Sequence, residues 1–164
     1  MKTQEIRRRR HAAGIALKRI LVPVDFSELS KKALQYAALL GEEFEAEVKL
    51  VHVIEPDVPP AFDGFMIAPP VNCNGVNASC AKKLKECASS IRSRSGRVES
   101  VVRTGLPAHE IVETARESDV DLIVMATHGY TGWKHFAIGS TAEHVVRAAS
   151  CPVLVVREKE HQFI

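Results

Sequence analysis

The run Asp121-Leu122-Ile123-Val124-Met125 limits this chain more than any other stretch. Consecutive apolar residues without polar alternation do not suit a strand with one wet face. They suit a strand covered on both sides, as in a parallel sheet between helices. The chain leaves this run through a segment carrying Gly129, Gly132 and Gly139, then enters Ser140-Thr141-Ala142-Glu143-His144-Val145-Val146-Arg147-Ala148-Ala149, which reads as a helix. Ser140 is placed to cap that helix, with Glu143 three residues on to close a capping box. Such a helix start leaves free N–H groups that suit an anion, and ligands of open α/β sheets gather at the carboxyl ends of strands. We read the stretch as a nucleotide-phosphate site. The same helix start is also common in proteins that bind nothing.

The other runs repeat the pattern. Arg19 to Asp25 reads as a first strand, with Pro23, which cannot donate to a ladder, near its end. Ser27 is placed to cap a helix whose buried face is Ala33, Leu34, Ala37, Ala38 and Gly41, small enough to lie close on a sheet. Glu47–Ile54 is a second strand, and its His52 reads as a hydrogen-bonded core histidine rather than a ligand. From Glu55 to about Asn74 the pattern dissolves into an irregular excursion with Pro56, Pro59, Pro60, Pro69 and Pro70. A helix is expected from Val76 to Arg94 with Leu84, Cys87, Ala88 and Ile91 inward. Arg97–Arg103 alternates like a strand at or near a sheet edge. Pro107 suits the first position of a helix running to Ser118 and buried along Ile111, Val112 and Ala115. Cys151–Arg157 is the last strand. The alternation predicts an α/β fold: a doubly wound parallel sheet of five strands with helices on both faces.

Length and composition agree with one domain. The chain has 164 residues, 46% hydrophobic but only 5% aromatic, so Val, Ile, Leu and Ala carry the core. Residues 1–17 form a basic arm, 18–158 the folded domain and 159–164 a tail. Lys2, Arg7, Arg8, Arg9, Arg10, Lys18 and Arg19 oppose Glu5 alone in residues 1–19, so the overall +2 hides a mildly acidic body. That argues little for nucleic acid. The arm's purpose, whether an idle extension or a contact for an anionic surface, stays open. No apolar run approaches the roughly 20 residues of a membrane span. The short apolar piece after Arg10 leads straight into a core strand, so export is rejected and a cytoplasmic location expected. Cys73, Cys80, Cys87 and Cys151 include no Cys-x-x-Cys pair, which disfavours a zinc ribbon or thioredoxin motif. Cys80 and Cys87 would share a helix face and read as packing residues.

Several nucleotide folds fail on missing residues. There is no Gly-x-Gly-x-x-Gly after the first strand, no Gly-x-x-x-x-Gly-Lys-Ser/Thr, no receiver-type acid pair and no Gly-x-Ser-x-Gly elbow. What is present resembles the universal stress protein family over nearly all of residues 18–158. The resemblance rests on Ile20-Leu21-Val22-Pro23-Val24-Asp25-Phe26-Ser27, Val51-His52-Val53-Ile54, Asp121–Met125 and Cys151-Pro152-Val153-Leu154-Val155-Val156. The nucleotide-binding branch carries Gly, two residues, Gly, nine residues, Gly, then Ser or Thr. Here Gly129 and Gly139-Ser140 fit, and Ala126 stands where the first glycine belongs. If that position needs φ > 0, Ala pays about 1 kcal/mol or more; if it needs only slimness, one methyl is a mild obstacle.

The resemblance implies an adenine nucleotide alpha hydrolase-like sheet of strand order 3-2-1-4-5 and a site for ATP or another adenine nucleotide. Asp25 would accept from ribose hydroxyls, its plainer role being to cap the next turn. Pro23 and Val24 would line the adenosine pocket, and the backbone of Val53 would read the adenine edge. Met125 and Ala126 would flank sugar and base. His128 and Gly129 would approach the phosphates, with Gly139, Ser140 and Thr141 at the helix start. Mg²⁺ would come with the phosphates, since no protein metal site is evident. No general base is positioned for efficient catalysis. The expectation is therefore an ATP-binding stress-response regulator acting as a nucleotide-dependent switch on an unidentified protein partner. The alternatives are a dimeric interaction module of the same fold that binds no nucleotide, and a slow ATPase or self-phosphorylating protein using Ser140 or Thr141. The resemblance also implies a homodimer paired through strand 153–156.

Overall fold

The computed structural model describes residues 16–56, 73–127 and 139–157. They form β1 (Arg19–Pro23), α1 (Glu28–Phe44), β2 (Glu47–Ile54), α2 (Cys73–Ser95), β3 (Val98–Thr104), α3 (Pro107–Glu117), β4 (Leu122–Ala126), α4 (Ser140–Ala148) and β5 (Val153–Val156). All pairings are parallel and the order is β3-β2-β1-β4-β5. The sheet is doubly wound as the sequence predicts, in the order the family resemblance implies, with β3 and β5 at the two edges. The basic arm, most of the proline-rich excursion, and the tail lie outside the described residues.

Alternation along the strands builds two apolar layers. Ile20, Val22, Val24, Val48, Leu50 and Val124 pack with Ala33, Leu34, Ala37 and Ala38 of α1 and Leu84, Ala88 and Ile91 of α2. Leu21, Val51, Ile123 and Met125 face the other way, onto Ile111 and Ala115 of α3 and Ala142 and Val145 of α4. Helices α1 and α2 therefore cover one face, α3 and α4 the other. Ile20, Leu21, Leu50 and Ile123 are fully buried, and each such side chain contributes about 1.5–3 kcal/mol relative to exposure.

The ends of the strands opposite the expected site are pinned by one carboxylate. Asp121 Oδ2 accepts from the backbone N–H groups of Lys18 (2.7 Å) and Arg19 (2.8 Å), while Asp121 N donates to Arg19 O at 2.9 Å. This sets β4 beside β1 before their ladder begins with Ile20 against Leu122. Arg19 also binds the Ser118 carbonyl at 2.9 Å and the Asp119 carboxylate.

Three local expectations need correcting. Helix α2 starts at Cys73, three residues before the expected Val76; Asn, Gly and Ser in its first turns mask the helical pattern, because their propensity is overridden by context. Strand β1 ends at Pro23, not Asp25, although Val24 N still donates to Val51 O at 2.8 Å. Ser140 does not cap α4. Gly139 is the N-cap and Ser140 the first helical residue, with no side-chain cap bond. A capping box needs its acid at the third helical position, and that position holds Ala142; Glu143 instead pairs with Arg147 at 2.8 Å.

Candidate functional site

Because the strands are parallel, the carboxyl ends of β2, β1 and β4 lie side by side at one pole. The order reverses direction at β1, between β2 and β4, which is where open α/β sheets leave a crevice. Pro23 ends β1 with Val24 and Asp25 just beyond it, Val53 lies near the end of β2, and Met125 and Ala126 end β4. The chain returns from the segment 128–138 to the same place: Gly139 N donates to Thr127 O at 2.8 Å. Helix α4 thus starts directly above the end of β4, with Ser140 exposed and Thr141 half-buried. His128 and Gly129 lie outside the described residues.

These residues differ in what they can present. Pro23, Asp25, Val53, Ala126, Gly139 and Thr141 are all half-buried, as accessible walls of a crevice must be. The Val24 side chain is buried in the α1/α2 layer, and Met125 in the α3/α4 layer. Neither side chain therefore faces a ligand, and the Val24 backbone is itself engaged, its N–H by Val51 O and its carbonyl by His52. The N-terminal N–H groups of α4 have no side-chain cap. A nine-residue helix with an open N-terminus carries partial positive charge there.

Asp25 already does structural work. Its Oδ1 accepts from Ser27 N (3.0 Å) and Ser27 Oγ (2.6 Å), and Ser27 Oγ in turn accepts from Ser30 N at 3.1 Å. The plainer role for Asp25 is thus present in the structure, and Ser27 caps α1 as its sequence predicts. Between them Phe26 adopts φ +66°, which costs a bulky L-residue about 1–2 kcal/mol. His52 is hydrogen-bonded as expected, its Nδ1 lying 2.7 Å from Val24 O, but it is half-buried and not part of the core. Sequence reasoning passed over what the pair does together: the imidazole also packs on the Phe26 ring, centroids 4.5 Å apart. The only signal was an aromatic directly after Asp25. Among the described residues no group of three or more His, Cys, Asp or Glu could hold a metal ion.

Residues 16–157 match the family model described as the universal stress protein family. The chain belongs to the universal stress protein family. Universal stress protein MJ0531 of Methanocaldococcus jannaschii is 36% identical over 152 residues, covering 88% of this chain and 85% of that one. The structure of universal stress protein UspA from Lactobacillus plantarum superposes with a TM-score of 0.76 at 25% identity, over 88% of this chain and all of the other. The universal stress protein of Archaeoglobus fulgidus solved in complex with dAMP has the same fold, with a TM-score of 0.62 at 23% identity over 87% of this chain and 99% of the other.

In this universal stress protein Ala126 is the position of interest, where the motif expected of the nucleotide-binding branch would have glycine. That residue sits within β4, opposite Val156. The non-glycine residues of positive φ among those described are Phe26, Glu45 and Asp119. Ala126 therefore carries no left-handed strain, and its departure from glycine amounts to one methyl group. Among the described residues no helix is long and apolar enough to cross a membrane.

Proposed function

We propose that this protein binds an adenine nucleotide between the carboxyl ends of β1 and β4 and acts as a nucleotide-dependent regulator in a stress response. The observation that carries the reading is the uncapped start of α4, tied to the end of β4 by the Gly139–Thr127 bond, beside β1 and the Asp25 that follows it. Open N–H groups suit phosphate, and a carboxylate at the neighbouring strand end suits ribose hydroxyls. Pro23, Val53 and Ala126 supply accessible apolar walls for adenosine. The dAMP complex of the Archaeoglobus fulgidus relative supports an adenylate as the ligand class. Mg²⁺, where needed, would be held by the phosphates, because the described residues offer no carboxylate cluster for it. Binding of the nucleotide would change a partner surface, which is the switch.

A second reading has its own support. Asp25 Oδ1 is engaged by Ser27, so this carboxylate is also explained by a member that binds no nucleotide and works as a dimeric scaffold. Mass spectrometry of gently purified protein, followed by titration calorimetry with AMP and ATP, separates the two. The regulator reading expects bound adenylate, and a loss of about tenfold to a hundredfold in affinity on Asp25→Ala, the worth of a hydrogen bond to a charged group. Clean apo protein with no measurable affinity for either nucleotide leaves the scaffold.

A further inference from the structure

We propose that His52 is a positioning residue for the Asp25 carboxylate, gripping the chain on both sides of it; this rests on the reading of Asp25 as the sugar-holding group. On one side the contact is a hydrogen bond. Val24 O can only accept, so the hydrogen lies on His52 Nδ1, 2.7 Å away. On the other side it is a ring contact, with the imidazole and Phe26 ring centroids 4.5 Å apart at an interplanar angle of 41°. Asp25 is the one residue between these two holds.

The turn needs such a hold. Pairing of β1 with β2 ends when Val24 N donates to Val51 O, and the chain must then reverse into α1. It does so through Phe26 at φ +66°. A bulky residue stays in that region only where its surroundings over-determine it. The surroundings here are the α1/α2 apolar layer against which Phe26 packs, His52 from β2 and, on α2, Lys83, whose Nζ lies 5.8 Å from the Phe26 ring centroid. With the backbone fixed before and after it, Asp25 keeps Oδ1 on Ser27, and the direction of the rest of the carboxylate follows. Loss of the grip lets the turn relax toward negative φ and re-aims the carboxylate.

Three substitutions in the full chain separate the contacts. His52→Asn keeps an N–H donor near the Nδ1 position without the stack, His52→Phe keeps a ring without the donor, and His52→Ala keeps neither. Two readouts are taken: AMP affinity by calorimetry, and amide hydrogen exchange of Ser27, whose N–H donates to Asp25, in ligand-free protein. The Ala and Phe variants should bind AMP at least about tenfold more weakly and exchange the Ser27 amide at least about tenfold faster, with α3 and α4 amides unchanged. His52→Asn, which restores the donor but not the ring, should fall between His52→Ala and wild type on both readouts. Imidazole ¹⁵N spectra of wild-type protein should show Nδ1 protonated.

The proposal is overturned if the Ser27 amide is indifferent to all three substitutions, if Asn rescues no better than Ala, or if Nε2 alone carries the proton. Wild-type protein that binds no AMP removes the nucleotide reading, and the Ser27 amide and the imidazole spectrum then decide the positioning on their own. A His52→Ala variant too unstable to study leaves the Asn and Phe variants to decide it.

Discussion

At the scale of single residues, Ala126 decides how the nucleotide motif is to be read. Its strand conformation means the methyl is a matter of space and not of backbone strain. Ala126→Gly should therefore change AMP affinity by less than about threefold and lower stability by about 0.5–1 kcal/mol, because glycine in a strand loses more entropy on folding. Calorimetry and a urea melt check this; a gain in affinity of tenfold would make the methyl the obstacle. Two thiols make a second residue-level case. Burial pushes Cys87 above its ordinary 9.0, with Glu86 adding to the effect and Lys31 opposing it. Burial likewise raises Cys151, with Asp121 adding. The folded state then keeps these protons longer than the unfolded chain. Their contribution to stability is complete below about pH 9 and is lost as pH climbs through the raised values. Alkylation by iodoacetamide at pH 7 should be several times slower at both thiols in native protein than in urea, and the gap should narrow above pH 9.

At the scale of elements, the helix starts show what sequence could and could not convey. Ser27 announces α1 because a serine before an apolar stripe has one obvious task, and it accepts from Ser30 N as expected. Ser140 looked the same and was misassigned by one position. The bond that fixes the register, Gly139 to Thr127, joins residues well separated in the sequence, which local spacing cannot reveal. Phe26 was equally illegible, since its positive φ follows from a histidine on another strand. The Gly139 backbone itself, at φ −57° and ψ 149°, is open to any residue. Gly139→Val should therefore leave the melting temperature within a few degrees of wild type while weakening AMP binding at least about tenfold, by occupying the space in front of the α4 amides. Binding that survives this change would place the phosphates elsewhere.

At the scale of the whole molecule, the alternation of apolar runs and helical stretches carried the architecture. Five runs rich in Val, Ile and Leu, separated by four amphipathic stretches, permit few other arrangements, and the observed sheet has the expected order. The wall of the candidate site was legible to the point where β4 ends; His128 and Gly129 lie outside the described residues. Assembly is the remaining question at this scale. Strand β5 closes the sheet as an edge, with Val155 half-buried and Leu154 packed into the α1/α2 layer. We expect light scattering to return a homodimer at micromolar concentration, paired along this edge. Val155→Lys, a charge of the kind that guards exposed strands, should return monomer with the fold intact. Wild-type protein that is monomeric throughout this range would count against the edge as an interface.

The bond from Gly139 back to Thr127 has one more consequence. Residues 128–138 leave and re-enter the scaffold at points a single hydrogen bond apart, so the scaffold is closed on itself beneath them. Closing a longer or shorter stretch between fixed ends changes the entropy by only about 0.6 kcal/mol per doubling of length. The length of chain joining Thr127 to Gly139 is therefore a weak constraint, and the five strands can keep their register when it changes.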